Sequence, residues 1–494
     1  MSTSAYKNLV ERCSEIALYN STSALLGWDQ ETCLPKKGVA YRAEQCALMK
    51  GRSHRLFCAP EVGGWISECE DGDVGEDPAR LANVRDWRWA YDRATKLPEE
   101  LVETSERVRA HAMSAWASAR KEDDFSKFRP HLETIIDISR QKAECFGYNE
   151  TPYDALIEDY ERGTSTADVA ELFEELKPQL REIGLAAARR SETVSEEMLN
   201  GHYPQEAQCA FNEKVARAFG FDFEAGRIDT AVHPFCSGLA PGDTRLTTRY
   251  DEKDFCSSLY GVLHETGHGL YEQGLPAEHH GTPVGNSVSL GIHESQSRLW
   301  ENHVGRQPAF WEHWFPVAKE VFGPLSSRRV DEVIAFTTRS RPSLIRVEAD
   351  EATYDLHIVL RFEIERDLIA GDLAVADLPE AWNTKFEEFF GLSVPNDTEG
   401  CLQDIHWSMG ALGYFPTYTI GNLGAAQLFA KAHEHLPGID GELASGNYAR
   451  LLEWLRCKIH EPGGQMLPSD LMRVATGEEL SPSYHLEHLR SRYL

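Results

Sequence analysis

The stretch EKDFCSSLYGVLHETGHGLYEQ, Glu252 to Gln273, has the periodicity of an α-helix and carries His264-Glu265-Thr266-Gly267-His268, an H-E-x-x-H pattern. Four residues along an α-helix return a side chain to nearly the same face one turn on. The two imidazoles therefore project together and can share one divalent ion. Neutral imidazole suits zinc, although the same donors accept cobalt or manganese. A catalytic zinc takes three protein ligands and keeps one place open, so a third ligand must come from another element. The pattern fixes only three positions, and a chain with 19 histidines could also carry it by chance on a solvated helix face. Helical context and a suitable third ligand separate the two readings.

Downstream, a Gly/Pro/His-rich loop from Gly274 to Gly285 leads into a second predicted helix, about Asn286 to Val304. Its Gly291-Ile292-His293-Glu294-Ser295-Gln296 segment offers two candidate ligands. Glu294 is preferred because it follows His268 by 26 residues, a spacing suited to a Glu on a packed later helix; His293 is the alternative. Ser287, Gly291 and Ser297 lie near the Glu294 face and would allow close approach of the two helices. Glu265 points about 100° away from its histidine neighbours around the helix, too far to complete the ligand set but near enough to act as general base on the attacking water. Upstream, Ile228 to Phe235 and Thr244 to Tyr250 read as two strands of a hairpin around a Ser-Gly-Leu-Ala-Pro-Gly-Asp turn.

Further out, Tyr6 to about Phe219 reads as successive amphipathic helices. Between Asp168 and Ala187, for example, Val169, Leu172, Leu176, Leu180 and Ile183 recur three or four apart despite Pro178. From Pro342 helices resume. Ser343 to Ile369 has helical character, which would align Arg346, Asp350, Thr353, His357 and Arg361 in one polar stripe and Glu348, Glu351 and Asp355 in another. The Arg346 stripe is the better cleft lining, since a guanidinium is a two-pronged donor for a carboxylate such as a peptide C-terminus; a solvated or internally paired stripe is the alternative.

The 79 acidic and 50 basic residues give a net charge of −29, which repels a phosphate backbone and argues against a nucleic-acid partner. The N-terminal residues show no export signal, and no apolar run is long enough for a membrane span. Eleven scattered cysteines with no C-x-x-C pair suit the reduced thiols of a cytoplasmic protein.

Taken in order, these segments resemble the carboxypeptidase Taq family of zinc metallocarboxypeptidases, also called thermostable carboxypeptidase 1. The resemblance rests on Trp28-Asp29-Gln30-Glu31-Thr32, His233-Pro234-Phe235, Asp243-x-Arg245-x-Thr247, His264 to His268, and His293-Glu294-Ser295-Gln296. It continues through Ile345-Arg346-x-x-Ala349-Asp350, Gly400-x-x-Gln403-Asp404-x-His406-Trp407 and Tyr414-Phe415-Pro416-Thr417-Tyr418. It implies one mostly α-helical domain over residues 1–494, with a helical scaffold in 1–225. The hairpin, metal helices and a deep substrate groove would lie in 226–494, with a small antiparallel β-sheet beside the metal helix.

The resemblance also implies a homodimer, one Zn2+ per chain, and removal of single residues from peptides with a free C-terminal carboxylate. It names Glu294 as third ligand and favours Arg346 as carboxylate binder. His233 and Arg245 become candidates for holding the substrate, and His406, Tyr414 and Tyr418 candidates for oxyanion donors. An endopeptidase, a dipeptide-releasing enzyme and a non-catalytic peptide-binding helical protein are the competing readings.

Overall fold

The computed structural model describes residues 4–72 and 74–494. Met1 to Thr3, part of the segment read for an export signal, lie outside the described residues. Helices dominate, as the periodicity predicts. Ser4–Thr32 opens the chain, and Thr166–Ser191 runs straight through Pro178. That second helix starts with a capping box between Ser165 and Asp168 and buries Val169, Leu176, Leu180 and Ile183. Among the described residues no helix is long and apolar enough to cross a membrane.

Two large apolar cores lie side by side. One is built around the Phe255–Gly274 helix, with Leu259, Leu263, Leu270 and Trp300; the other surrounds Tyr354–Ala370, with Leu356, Leu360, Trp382 and Phe386. Helices of the first hundred residues close a smaller core of their own around Leu9, Ile66 and Trp87.

The expected antiparallel hairpin is instead a three-stranded mixed sheet. Its strands are β1 (Gly226–Thr230), β2 (Cys236–Ala240) and β3 (Asp243–Thr248), in the order β1-β3-β2. β1 runs parallel to β3, with Ile228 opposite Leu246, and β2 runs antiparallel to it, with Ser237 opposite Arg245. The segment read as a long turn is mostly strand, because only Pro241 and Gly242 make the reversal, Gly242 with φ of +86°. The motifs lock together here: Thr247 accepts the Phe235 N–H at 2.9 Å through its hydroxyl and donates its own N–H to the Phe235 carbonyl at 2.9 Å.

Ser343 to Ile369 is not one helix. Arg346–Glu348 forms a single 3-10 turn and the helix begins only at Tyr354. Asp350 causes the break: its carboxylate accepts from Ser340 Oγ, from the Arg341 N–H and from the Ala352 N–H, so local side-chain bonds replace the helical ladder. The two predicted stripes therefore dissolve. His357 and Arg361 are wholly buried, and Asp355, expected on the acidic face, is buried where it accepts from Thr419 and Asn422.

Candidate metal centre and active site

The Phe255–Gly274 helix starts at Asp254, whose carboxylate caps the Cys256 and Ser257 N–H groups. The Leu290–Arg298 helix starts at Ser289 and is followed by a π-helical turn, Leu299–Val304. Its first turn is held by Glu161, which accepts the Gly291 N–H and the Ser289 hydroxyl, each at 2.9 Å. The two helices touch at backbone distance. A Cβ on Gly267 would come within 2.5 Å of the Gln296 carbonyl oxygen and 2.6 Å of the Ser297 Cα. Ser297 thus performs the close approach expected of it, whereas Gly291 faces Glu161 and Ile420.

This contact brings His264, His268 and Glu294 together, with one ligand atom of each within 4.8 Å of the others. Nε2 of His264 and Nε2 of His268 lie 3.6 and 3.4 Å from the same oxygen, Glu294 Oε2. The opposite faces are all engaged. His264 Nδ1 meets Glu301 Oε2 at 2.9 Å; His268 Nδ1 meets His293 Nδ1 at 2.6 Å, and His293 Nε2 meets Glu272 Oε1 at 2.9 Å. Arg298 Nε donates to Glu294 Oε1 at 2.6 Å, and Oε2, which also accepts the Ser297 hydroxyl at 3.0 Å, faces the imidazoles. Outer partners of this kind fix ring orientation and tautomer.

The electrostatics suit a cation. Burial drives the His268 imidazole down to about 4, keeping it neutral with a free lone pair. Burial pushes Glu294 up, but Arg298 and the two imidazoles overcome this and hold it well below the usual carboxylate range. Glu265 is different: burial raises it to about 7, against the lowering influence of His264, and its Oε2 is buried without a hydrogen-bond partner. An isolated buried carboxylate oxygen costs stability, and such groups cluster at functional sites. The residues present fit a divalent ion, and His293, the alternative ligand, is placed behind His268.

A second group gathers the arginine candidate. Arg346 is buried, donating Nε and Nη2 to Asp404 Oδ1 at 3.0 and 2.8 Å and Nη1 to the Tyr354 hydroxyl at 2.9 Å. Arg361 holds the other Asp404 oxygen. Two guanidinium groups around one carboxylate leave an excess positive charge. His406, Tyr414 and Tyr418 line the same place: the Tyr418 hydroxyl is 3.5 Å from His406 Nε2, and the Tyr414 ring centroid is 5.2 Å from that of His406. Arg298 stacks over the Tyr354 ring at 4.6 Å, so Glu294, Arg298, Tyr354 and Arg346 form one continuous chain of contacts.

The two hairpin candidates are not gathered in. His233 is exposed in the loop between β1 and β2. Arg245 forms a two-pronged pair with Asp243 at 2.8 and 3.0 Å and covers the Trp28 ring at 4.3 Å, joining the sheet to the first helix. Sequence reading passed over Arg298, Glu301, Glu272 and Tyr354. Glu301 could have been found: it lies seven residues, two helical turns, after Glu294.

A cleft of ≈ 920 Å³ opens at the start of the Glu294 helix, lined by Ser289, Leu290, β2 residues Gly238 and Leu239, and Asn20 and Trp89 of the N-terminal helices. The candidate ligands do not line this cavity itself; it leads up to their helix.

Comparison with known proteins gives the family. Residues 8–493 match the family described as carboxypeptidase Taq (M32) metallopeptidase. The chain is 43% identical to thermostable carboxypeptidase 1 of Thermus thermophilus, covering 99% of this chain and 98% of that protein. It is 35% identical to carboxypeptidase 1 of Bacillus subtilis, with 99% and 97% covered. The M32 carboxypeptidase of Deinococcus radiodurans superposes with a TM-score of 0.96 at 38% identity over 99% of this chain and 98% of that one. A Pyrococcus furiosus carboxypeptidase structure gives 0.97 at 34% identity over the full length of both. The chain belongs to the carboxypeptidase Taq (M32) family and is a metal-dependent carboxypeptidase, a peptide hydrolase.

Proposed function

We propose that His264, His268 and Glu294 hold one divalent ion, with Zn2+ the best match to two imidazoles and one carboxylate, and that Glu265 is the general base. The observation that carries this reading is the convergence of two Nε2 atoms on Glu294 Oε2 beside the unpartnered Glu265 Oε2. When bound, the ion supplies a Lewis acid that polarises the scissile carbonyl and acidifies water. Glu265 accepts the proton of the attacking water on Oε2 and delivers it to the leaving amine. Glu301 and His293 keep each imidazole hydrogen on Nδ1, which leaves Nε2 free to coordinate.

Arg346 is the carboxylate-binding candidate because the Asp404 cluster carries one more cation than anion. His406, Tyr414 and Tyr418 stand beside it as donors for the developing oxyanion. His233 and Arg245 are assigned weaker roles: the first is solvent-facing, and the second is spent on Asp243 and Trp28. The eleven free thiols support a reducing, cytoplasmic setting, and the homodimer is carried over from the family resemblance. All 494 residues are read as one domain.

Mass spectrometry of a mixed peptide pool incubated with Zn2+-loaded protein tests the reading. Peptides should shorten from the C-terminus by one residue at a time, and C-terminally amidated peptides should persist. Internal cleavage, or equal loss of amidated peptides, would overturn it.

A further inference from the structure

Among the described residues only two groups of three histidine or acidic side chains bring ligand atoms within 4.8 Å of one another. One is the centre above; the other is His303, Glu351 and His488. Its members come from three separate parts of the chain: the π-helical turn Leu299–Val304, the turn before the Tyr354–Ala370 helix, and the last helix, Pro482–Tyr493. His303 is 3% exposed, and the side chains of Glu351 and His488 are 4% and 15% exposed. The two imidazole rings stand 4.0 Å apart between centroids, and His488 Nε2 lies 2.8 Å from Glu351 Oε1.

Arg492 also touches this group, and a guanidinium beside a cation site is repulsive. Its position answers the objection. Arg492 Nη1 and the Tyr493 hydroxyl both donate to Glu351 Oε2, at 2.8 and 3.0 Å, leaving Oε1 turned to the imidazoles. The catalytic group has the same arrangement, with Arg298 on Glu294 Oε1 and the imidazoles on Oε2. On the proposed reading of the first group, a carboxylate clamped by an arginine on one oxygen is the arrangement that holds an ion.

We propose that His303, Glu351 and His488 form a second transition-metal site, selective for imidazole-seeking ions such as Zn2+, which fastens the C-terminal helix to the turn that carries Glu301. The three side chains are at most 15% exposed, so an ion there is enclosed and the site is structural. An ion there replaces the hydrogen bond between His488 and Glu351, the imidazole hydrogen being carried on the other ring nitrogen. Two imidazoles and one carboxylate oxygen discriminate against Mg2+, which demands oxygen donors in octahedral array.

The test is metal stoichiometry. Full-length protein stripped with a chelator is dialysed against buffered Zn2+, and bound metal is measured by mass spectrometry. Wild-type chain should retain two ions, the His264→Ala/His268→Ala double variant one, and His488→Ala one with peptidase activity preserved. The double variant leaves the proposed site untouched, so it decides the matter even if His488→Ala fails to fold. Its melting temperature should rise by roughly 3 °C with Zn2+ at about a hundredfold excess over Kd, and not with Mg2+. One ion in wild type, no ion in the double variant, or no Zn2+-dependent rise would overturn the proposal. The count expected of the double variant rests on the proposed catalytic ligands, which peptide cleavage by that same variant tests separately.

Discussion

The two histidine-glutamate groups share a ligand set and differ in everything that turns a ligand set into a catalyst. Each has two imidazoles and a carboxylate with an arginine on one oxygen. In the first, both histidines come from one helical turn, and a glycine contact sets the distance to Glu294. In the second, the ligands come from three remote segments. Only the first has beside it a carboxylate oxygen buried without a hydrogen-bond partner, Glu265 Oε2. Ligand chemistry decides where an ion can sit; a vacant base beside it decides whether hydrolysis can follow.

The sharpest way to break this contrast is Glu265→Gln, which should lower kcat by about 10³-fold while the catalytic ion stays bound, as metal analysis would show. Turnover at the wild-type rate would place the base elsewhere. Next in size, Glu301→Ala removes the partner of His264 Nδ1 and should weaken metal binding at the first group by about 10- to 100-fold, seen in competition with a chromogenic chelator. Ions at the second group should be released at their former chelator concentration.

Arg346→Ala should cost about tenfold in kcat/KM on free-acid peptides and far less on amidated ones, whose rates are already low. Equal losses on both would show that Arg346 only braces Asp404. The smallest effect is expected of Gly267→Ala, whose methyl would meet backbone atoms. Denaturant titration should show a loss of about 1–3 kcal/mol, accompanied by weaker metal binding at the first group alone.

How much of this could be read from the chain follows from distance along it. His264, Glu265 and His268 were legible because helical periodicity alone fixes their relative directions, and Glu294 because a second amphipathic helix follows at a suitable interval. The sheet was half legible. Gly238, Pro241 and Gly242 look like one turn, yet backbone pairing claims Gly238 for β2. Arg346 stands in a 3-10 turn and not on the expected helix, because a side-chain cap from Asp350 leaves no trace in hydrophobic spacing. Arg298 and Glu301 go unremarked in the sequence because their partners, Glu294 and His264, are set by packing. His303, Glu351 and His488 share no local spacing at all, so only tertiary structure could unite them.

The glycine contacts carry a consequence for motion. The Glu294 helix is gripped on two sides: Gly267 abuts Gln296 and Ser297, and a Cβ on Gly421 would strike Glu294 Cβ at 2.6 Å. It can neither slide nor roll without prising apart both neighbours, which makes it a fixed frame. The first hundred residues, which close a small core of their own, are tied to the rest of the chain by Arg245 over the Trp28 ring, by Arg85 on the Gly464 and Gln465 carbonyls and by Asn83 on the Val284 N–H, so the wall they give the cleft is held in place as well.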